Sequence, residues 1–168
     1  EEILSQEVQV LKEAVTHDSP FPHGVLPNLF RKDFLKQVVQ EIKDNSVVNF
    51  KESDLFKVFQ SIDFANLKKE SDRERMPAVM QLRSVLYSSE LRIFMEQLNG
   101  LEPGTLLEQV DCACNVHMKG GHLLCHDDVI GTRKISYILY LTDPDPAWSA
   151  EEGGALELYA SSSEENNR

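Results

Sequence analysis

The residues best equipped for chemistry are His126 and Asp128, an imidazole and a carboxylate two positions apart in His122-Leu-Leu-Cys-His-Asp-Asp128. In an extended backbone, residues i and i+2 face the same side, so this H-x-D triplet offers one divalent metal ion two cis ligands. A distant histidine would complete a facial triad with positions left open for a co-substrate and O₂, the arrangement that non-haem Fe(II) chemistry uses. No histidine follows His126. The same triplet also suits a surface turn in which Asp127 and Asp128 solvate a strand end.

The elements that must hold these residues change character along the chain. From Val110 onward, Gly, Asp and Pro separate short strand-like runs: Val110 to Met118, His122 to His126, the strongly apolar Lys134 to Leu141, and Gly154 to Tyr159. Such spacing predicts antiparallel β structure, a sandwich or barrel, whose rigid mouth would preorganise a metal site. Upstream, the periodicity is helical. Apolar residues at Ile3, Leu4, Val8, Leu11 and Val15 predict a first amphipathic helix. Phe34, Leu35, Val38, Val39 and Ile42 predict a second over Arg31 to Lys43, stopped at Asp44-Asn45. Val47 to Ala65 reads as a strand or hairpin, and Lys68 to Arg75 as a solvated charged run. Pro77 to Asn99 predicts one long helix or two short ones, ended by Gly100. Helices first and strands second give an α+β class.

Composition narrows the partners. The 168 residues suffice for one compact domain. Seventeen Lys and Arg against 28 Asp and Glu leave a net charge of −11, which repels nucleic-acid phosphates and attracts a basic protein. The charge also serves plain solubility. No apolar run reaches membrane-span length, so no membrane role is expected. Three cysteines and no basic, apolar leader predict free thiols in a reducing compartment, cytoplasm or nucleus.

Rival chemistries find little support. A zinc site from Cys112, Cys114, His122 and Cys125 or His126 fits no common ligand spacing. Small buried thiols are the better reading. Cys125 and His126 are adjacent, hence on opposite faces of a strand, which is wrong for a nucleophile and its base. There is no phosphate-binding glycine loop. Trp148 reads as a loop anchor.

Three segments together resemble a known family: Leu123-Leu-Cys-His-Asp-Asp128, Arg133-Lys-Ile-Ser-Tyr-Ile-Leu-Tyr-Leu141 and Gly153-Gly-Ala-Leu-Glu-Leu-Tyr159. They are similar to the 2-oxoglutarate- and Fe(II)-dependent prolyl hydroxylases, in particular the ribosomal-protein prolyl 3-hydroxylase branch, whose yeast relative is named for termination and polyadenylation. Pro20-Phe-Pro-His-Gly-Val-Leu-Pro-Asn-Leu-Phe30 also resembles the lead-in to that catalytic domain. The resemblance implies N-terminal helices followed by an incomplete double-stranded β-helix, or jelly roll. Residues 1–109 would be the mainly helical part with one or two early strands, 110–159 the first half of the jelly roll, and 160–168 a polar tail.

Carried over by position, His126 and Asp128 become metal ligands for Fe(II), and Tyr140 a residue near the 2-oxoglutarate carboxylate. Ascorbate is implied as an accessory reductant, with O₂ as co-substrate. A basic protein, in that branch a small-subunit ribosomal protein, is the implied substrate. The family's third ligand, a histidine, and the basic residue that pairs with 2-oxoglutarate lie on later strands. The expectation is therefore a piece of a longer oxygenase. The alternative is an inactive binding module that holds a basic protein by its acidic surface and helices.

Overall fold

The computed structural model describes residues 15, 20–27, 29–128, 130–142 and 146–160. The first expected helix lies outside the described residues except for Val15, and so does nearly all of the polar tail. The chain divides into two compact units. One takes Glu1–Leu29, Tyr87–Glu108 and Ala155–Arg168, and the other Phe30–Leu86 and Gln109–Gly154.

The second unit is built on a helix pair. Helix α1 (Lys32–Asn45) follows from the apolar spacing Phe34, Leu35, Val38, Val39 and Ile42. It buries Val38 and Ile42. Helix α2 (Glu70–Arg75) is one short stretch of the charged run, with Asp72 accepting the Lys69 backbone N–H at 3.0 Å. Helix α3 (Pro77–Leu86) starts at a proline, whose missing N–H is no loss at that position. It packs on α1 and buries Val79 and Leu82. Glu41 of α1 joins the two helices directly. Its carboxylate accepts the Ala78 and Val79 backbone N–H groups at 3.0 and 2.9 Å, capping the α3 N-terminus with a negative charge.

Between α1 and α2 lies the expected hairpin. Strand β1 (Val48–Glu52) pairs antiparallel with β2 (Phe56–Ser61), Phe50 opposite Phe59 and Glu52 opposite Lys57. The Ser53 hydroxyl closes the turn by accepting the Leu55 and Phe56 N–H groups. A 3₁₀ turn, Phe64–Asn66, leads on towards α2.

The other edge of β2 receives two short strands in succession. Strand β3 (Asn115–Val116) sets Val116 opposite Phe59, and β4 (His122–Leu123) sets His122 opposite Lys57. The partner position on β2 moves by two residues while the chain moves by six, so four residues are looped out. Gly120, at φ 80°, and Gly121 make that loop. A Cβ on Gly121 would meet the Met118 and Lys57 carbonyl oxygens at 2.9 and 3.1 Å, so only glycine lets the backbones approach this closely. Pairing continues before β3: Ser61 N–H donates to the Cys114 carbonyl and Phe64 N–H to that of Cys112. Asp63 accepts the Cys112 N–H at 3.1 Å.

The first unit contains α4 (Ser89–Leu98), N-capped by Ser88, whose hydroxyl accepts the Leu91 N–H at 3.1 Å. The expected helix over Pro77 to Asn99 is thus two helices, with a serine cap starting the second. Gly100, at φ 62°, ends it. The buried Glu96 accepts N–H groups of Leu106 and Gly104 at 2.8 and 3.1 Å, which hold its carboxyl below the usual range.

The α+β class stands, but two expected strands do not form among the described residues. Lys134 to Leu141 and Gly154 to Tyr159 carry no ladder pairing. A short apolar run between turn signals shows that a segment suits a sheet. It supplies no neighbour to pair with.

Candidate metal centre

The loop after β4 carries the H-x-D triplet, and the structure brings its two side chains together. His126 Nε2 and Asp128 Oδ1 are 3.1 Å apart. His126 Nδ1 lies 2.8 Å from the Leu124 carbonyl oxygen. A carbonyl can only accept, so Nδ1 carries the proton, and a neutral ring then presents a bare lone pair at Nε2. That lone pair faces a carboxylate oxygen. Two electron-rich atoms at this distance need a positive centre between them, either a proton or a metal ion. Cis ligands with bonds of about 2.0–2.2 Å at a right angle lie roughly 3 Å apart, which matches the observed separation.

The triplet is not in a strand. Further on, Arg133 N–H donates to the Ile130 carbonyl at 3.1 Å and closes a turn with Gly131 at φ 57° inside it. This turn returns Arg133 to the triplet. Arg133 Nη1 lies 3.8 Å from Asp128 Oδ1, and Nη2 lies 3.5 Å from Asp111 Oδ2.

Other candidates are placed apart from this pair. His122 lies in β4, opposite Lys57. Among the described residues, no group of three or more His, Cys, Asp and Glu side chains is arranged to hold a metal. The donors brought together are thus one nitrogen, His126 Nε2, and one oxygen, Asp128 Oδ1. The cysteines stay free thiols. Cys112 shares a hydrogen bond with Tyr137, and burial pushes its thiol up to about 11. Burial likewise raises the Tyr137 phenol.

Along the segment 133–141, Arg133, Ile135, Leu139 and Leu141 are partly covered, whereas Lys134, Ser136, Tyr137, Ile138 and Tyr140 are exposed. Trp148 does anchor its loop: the indole N–H donates to the Gly153 carbonyl at 2.9 Å, and its ring lies against Gly154.

Sequence reasoning missed Arg133 and Asp111 as members of the site. Their spacing from Asp128 fits no period, and only the glycine at 131 hinted that the chain doubles back.

Residues 112–168 match the family model of the 2OG-Fe(II) oxygenase superfamily. The chain is 47% identical over 150 residues to prolyl 3,4-dihydroxylase OGFOD1 of Ostreococcus tauri, a match covering 88% of this chain and 29% of that protein. It is 36% identical over 143 residues to prolyl 3-hydroxylase OGFOD1 of Xenopus laevis, covering 83% of this chain and 25% of the relative. With prolyl 3-hydroxylase OGFOD1 of Mus musculus it shares 33% over 151 residues, 88% of this chain and 25% of the relative. The chain thus spans less than a third of the length of these relatives.

Proposed function

Because this chain belongs to the 2-oxoglutarate- and Fe(II)-dependent prolyl hydroxylase family, we propose that it carries two of the metal ligands of a protein prolyl hydroxylase, His126 through Nε2 and Asp128 through Oδ1. The observation that carries this reading is their 3.1 Å approach with the Nδ1 proton already committed to Leu124. When bound, Fe(II) with 2-oxoglutarate and O₂ supplies the oxidising power needed to hydroxylate a C–H bond. The chain's own part is to orient. The Leu124 carbonyl fixes the imidazole tautomer and ring plane, the outer-shell device that metal-binding histidines use. Asp128 brings one negative charge to the cation.

The same proposal assigns residues 110–159 to the first half of a double-stranded β-helix. The unpaired but strongly apolar segment 134–142 supports this, since it is patterned for a sheet. Tyr140 is proposed as a 2-oxoglutarate residue, reached when that segment is paired and its outer face covered. The substrate is a proline in a basic protein, in our reading a small-subunit ribosomal protein, with ascorbate as accessory reductant. The net charge of −11 supports a basic substrate.

A second reading is a binding module without catalysis, favoured by the two-ligand donor set. Anaerobic Fe(II) titration of the chain, with and without 2-oxoglutarate, separates the two. Binding that Asp128→Ala abolishes and 2-oxoglutarate strengthens is expected for the oxygenase. Iron binding indifferent to Asp128→Ala would overturn the ligand assignment and leave the module.

A further inference from the structure

Asp128 is held from a second side. The same Oδ1 that faces His126 lies 3.8 Å from Arg133 Nη1, and the other terminal nitrogen of that guanidinium lies 3.5 Å from Asp111 Oδ2. Arg133 is the most covered of the three side chains, at 28% exposed, against 50% for Asp128 and 61% for Asp111. A planar guanidinium keeps its two terminal nitrogens in fixed relation. Anchoring Nη2 on Asp111 therefore fixes where Nη1 points.

Asp128 needs such a hold. It lies in a loop without ladder hydrogen bonds, next to Asp127, in a chain of net charge −11. A half-exposed carboxylate there is free to rotate towards solvent, and a metal that captured it would bear the cost of ordering it. Arg133 alone would supply order together with an unwanted positive charge beside the metal. Asp111 removes that objection, because its carboxylate balances the guanidinium.

We propose that Arg133, anchored by Asp111, is a positioning residue that turns Asp128 Oδ1 towards His126 Nε2 before metal arrives. The inference rests on the assignment of His126 and Asp128 as ligands. It opposes a simpler view, in which Arg133 merely competes with the metal for Asp128. The two views differ in sign: removing a competitor tightens metal binding, and removing a positioning group weakens it.

The test uses Mn(II) as a redox-inert probe, titrated into the 168-residue chain and into Arg133→Ala, Arg133→Lys, Asp111→Asn and the Arg133→Ala/Asp111→Asn double variant. Loss of an outer-shell partner is expected to weaken Mn(II) binding by about 10–100-fold. Lysine should fail to rescue, since one ammonium cannot span both carboxylates. Asp111→Asn should weaken binding alone and add nothing in the Arg133→Ala background. Asp111 is exposed enough that this variant will fold even where Arg133→Ala does not.

A metal-free arm separates this inference from the ligand assignment. In long-range ¹H–¹⁵N spectra, Arg133→Ala and Asp111→Asn should shift the His126 Nε2 resonance and leave Nδ1 in place. An unmoved Nε2, or Mn(II) binding that is unchanged or tighter in Arg133→Ala, overturns the positioning role. Mn(II) binding insensitive to Asp128→Ala, with Nε2 still shifted by the Arg133 variant, overturns only the ligand assignment.

Discussion

Two regions of the second unit obey different rules. In the α1–α3 pair, Val38 and Val79 are fully covered and Leu82 nearly so, and a carboxylate from one helix caps the other. Among the described residues from 122 to 142 no apolar side chain is fully buried: Leu123 and Leu124 are each 51% exposed and Ile138 58%, while Ile135, Leu139 and Leu141 are only partly covered. What orders this second region is a set of polar and backbone contacts: the Gly131 turn, the Asp111–Arg133–Asp128 bridge and the Cys112–Tyr137 hydrogen bond. The proposed ligands His126 and Asp128 lie in this second, more exposed region, apart from the residues that fill the helix-pair core.

The sharpest break in this contrast comes from truncating one apolar side chain in each region. Leu82→Ala removes packing from a filled core and is expected to cost about 2–5 kcal/mol in urea unfolding. Ile138→Ala should stay within about 0.5 kcal/mol. Equal losses would mean that 122–142 is packed as well as the helices. Next in size, Glu41→Ala strands two N–H groups at the α3 N-terminus and should lower stability by about 1–2 kcal/mol.

In the exposed region, backbone conformation should matter more than side-chain burial. Gly131→Ala meets no neighbour within 4 Å, so its cost is only that of holding alanine at φ 57°. This is about 1 kcal/mol, read by the same unfolding curve. A pH-dependent effect concerns Cys112, whose folded-state pKa is raised from 9.0 to about 11. A raised pKa favours the protonated fold, so its contribution is intact below pH 9 and is lost as pH climbs through about 11. Urea midpoints across that range should fall more steeply for the native chain than for Cys112→Ser. At pH 8, Cys125, which is exposed, should alkylate well before Cys112.

The helices were legible because their information is local. The spacing of Phe34, Val38 and Ile42 states both the element and its buried face, and Ser88 marks where one apparent long helix restarts. The H-x-D pair was legible for a similar reason, since its two members are two residues apart. Lys134 to Leu141 suits a strand because it is strongly apolar and lies between turn signals, but a strand is a relation between two segments and only one of them is visible in a pattern. Arg133 and Asp111 escaped notice on the same ground. Their link crosses space after a turn whose φ angle the sequence does not print.

The four residues looped out between β3 and β4 also set an order in time. The β1–β2 hairpin and α1 close contacts between near neighbours, whereas β3 docks on β2 from far along the chain, as in the Gln60–Asn115 side-chain hydrogen bond across 55 residues. Closing so long a loop is slow and gains nothing until β2 exists to receive it. The segment that leads into His126 and Asp128 must then dock twice, once on each side of the looped-out residues. By this loop-closure argument, His126 and Asp128 are expected to be among the later parts of the second unit to reach their places, after the hairpin that receives the segment before them.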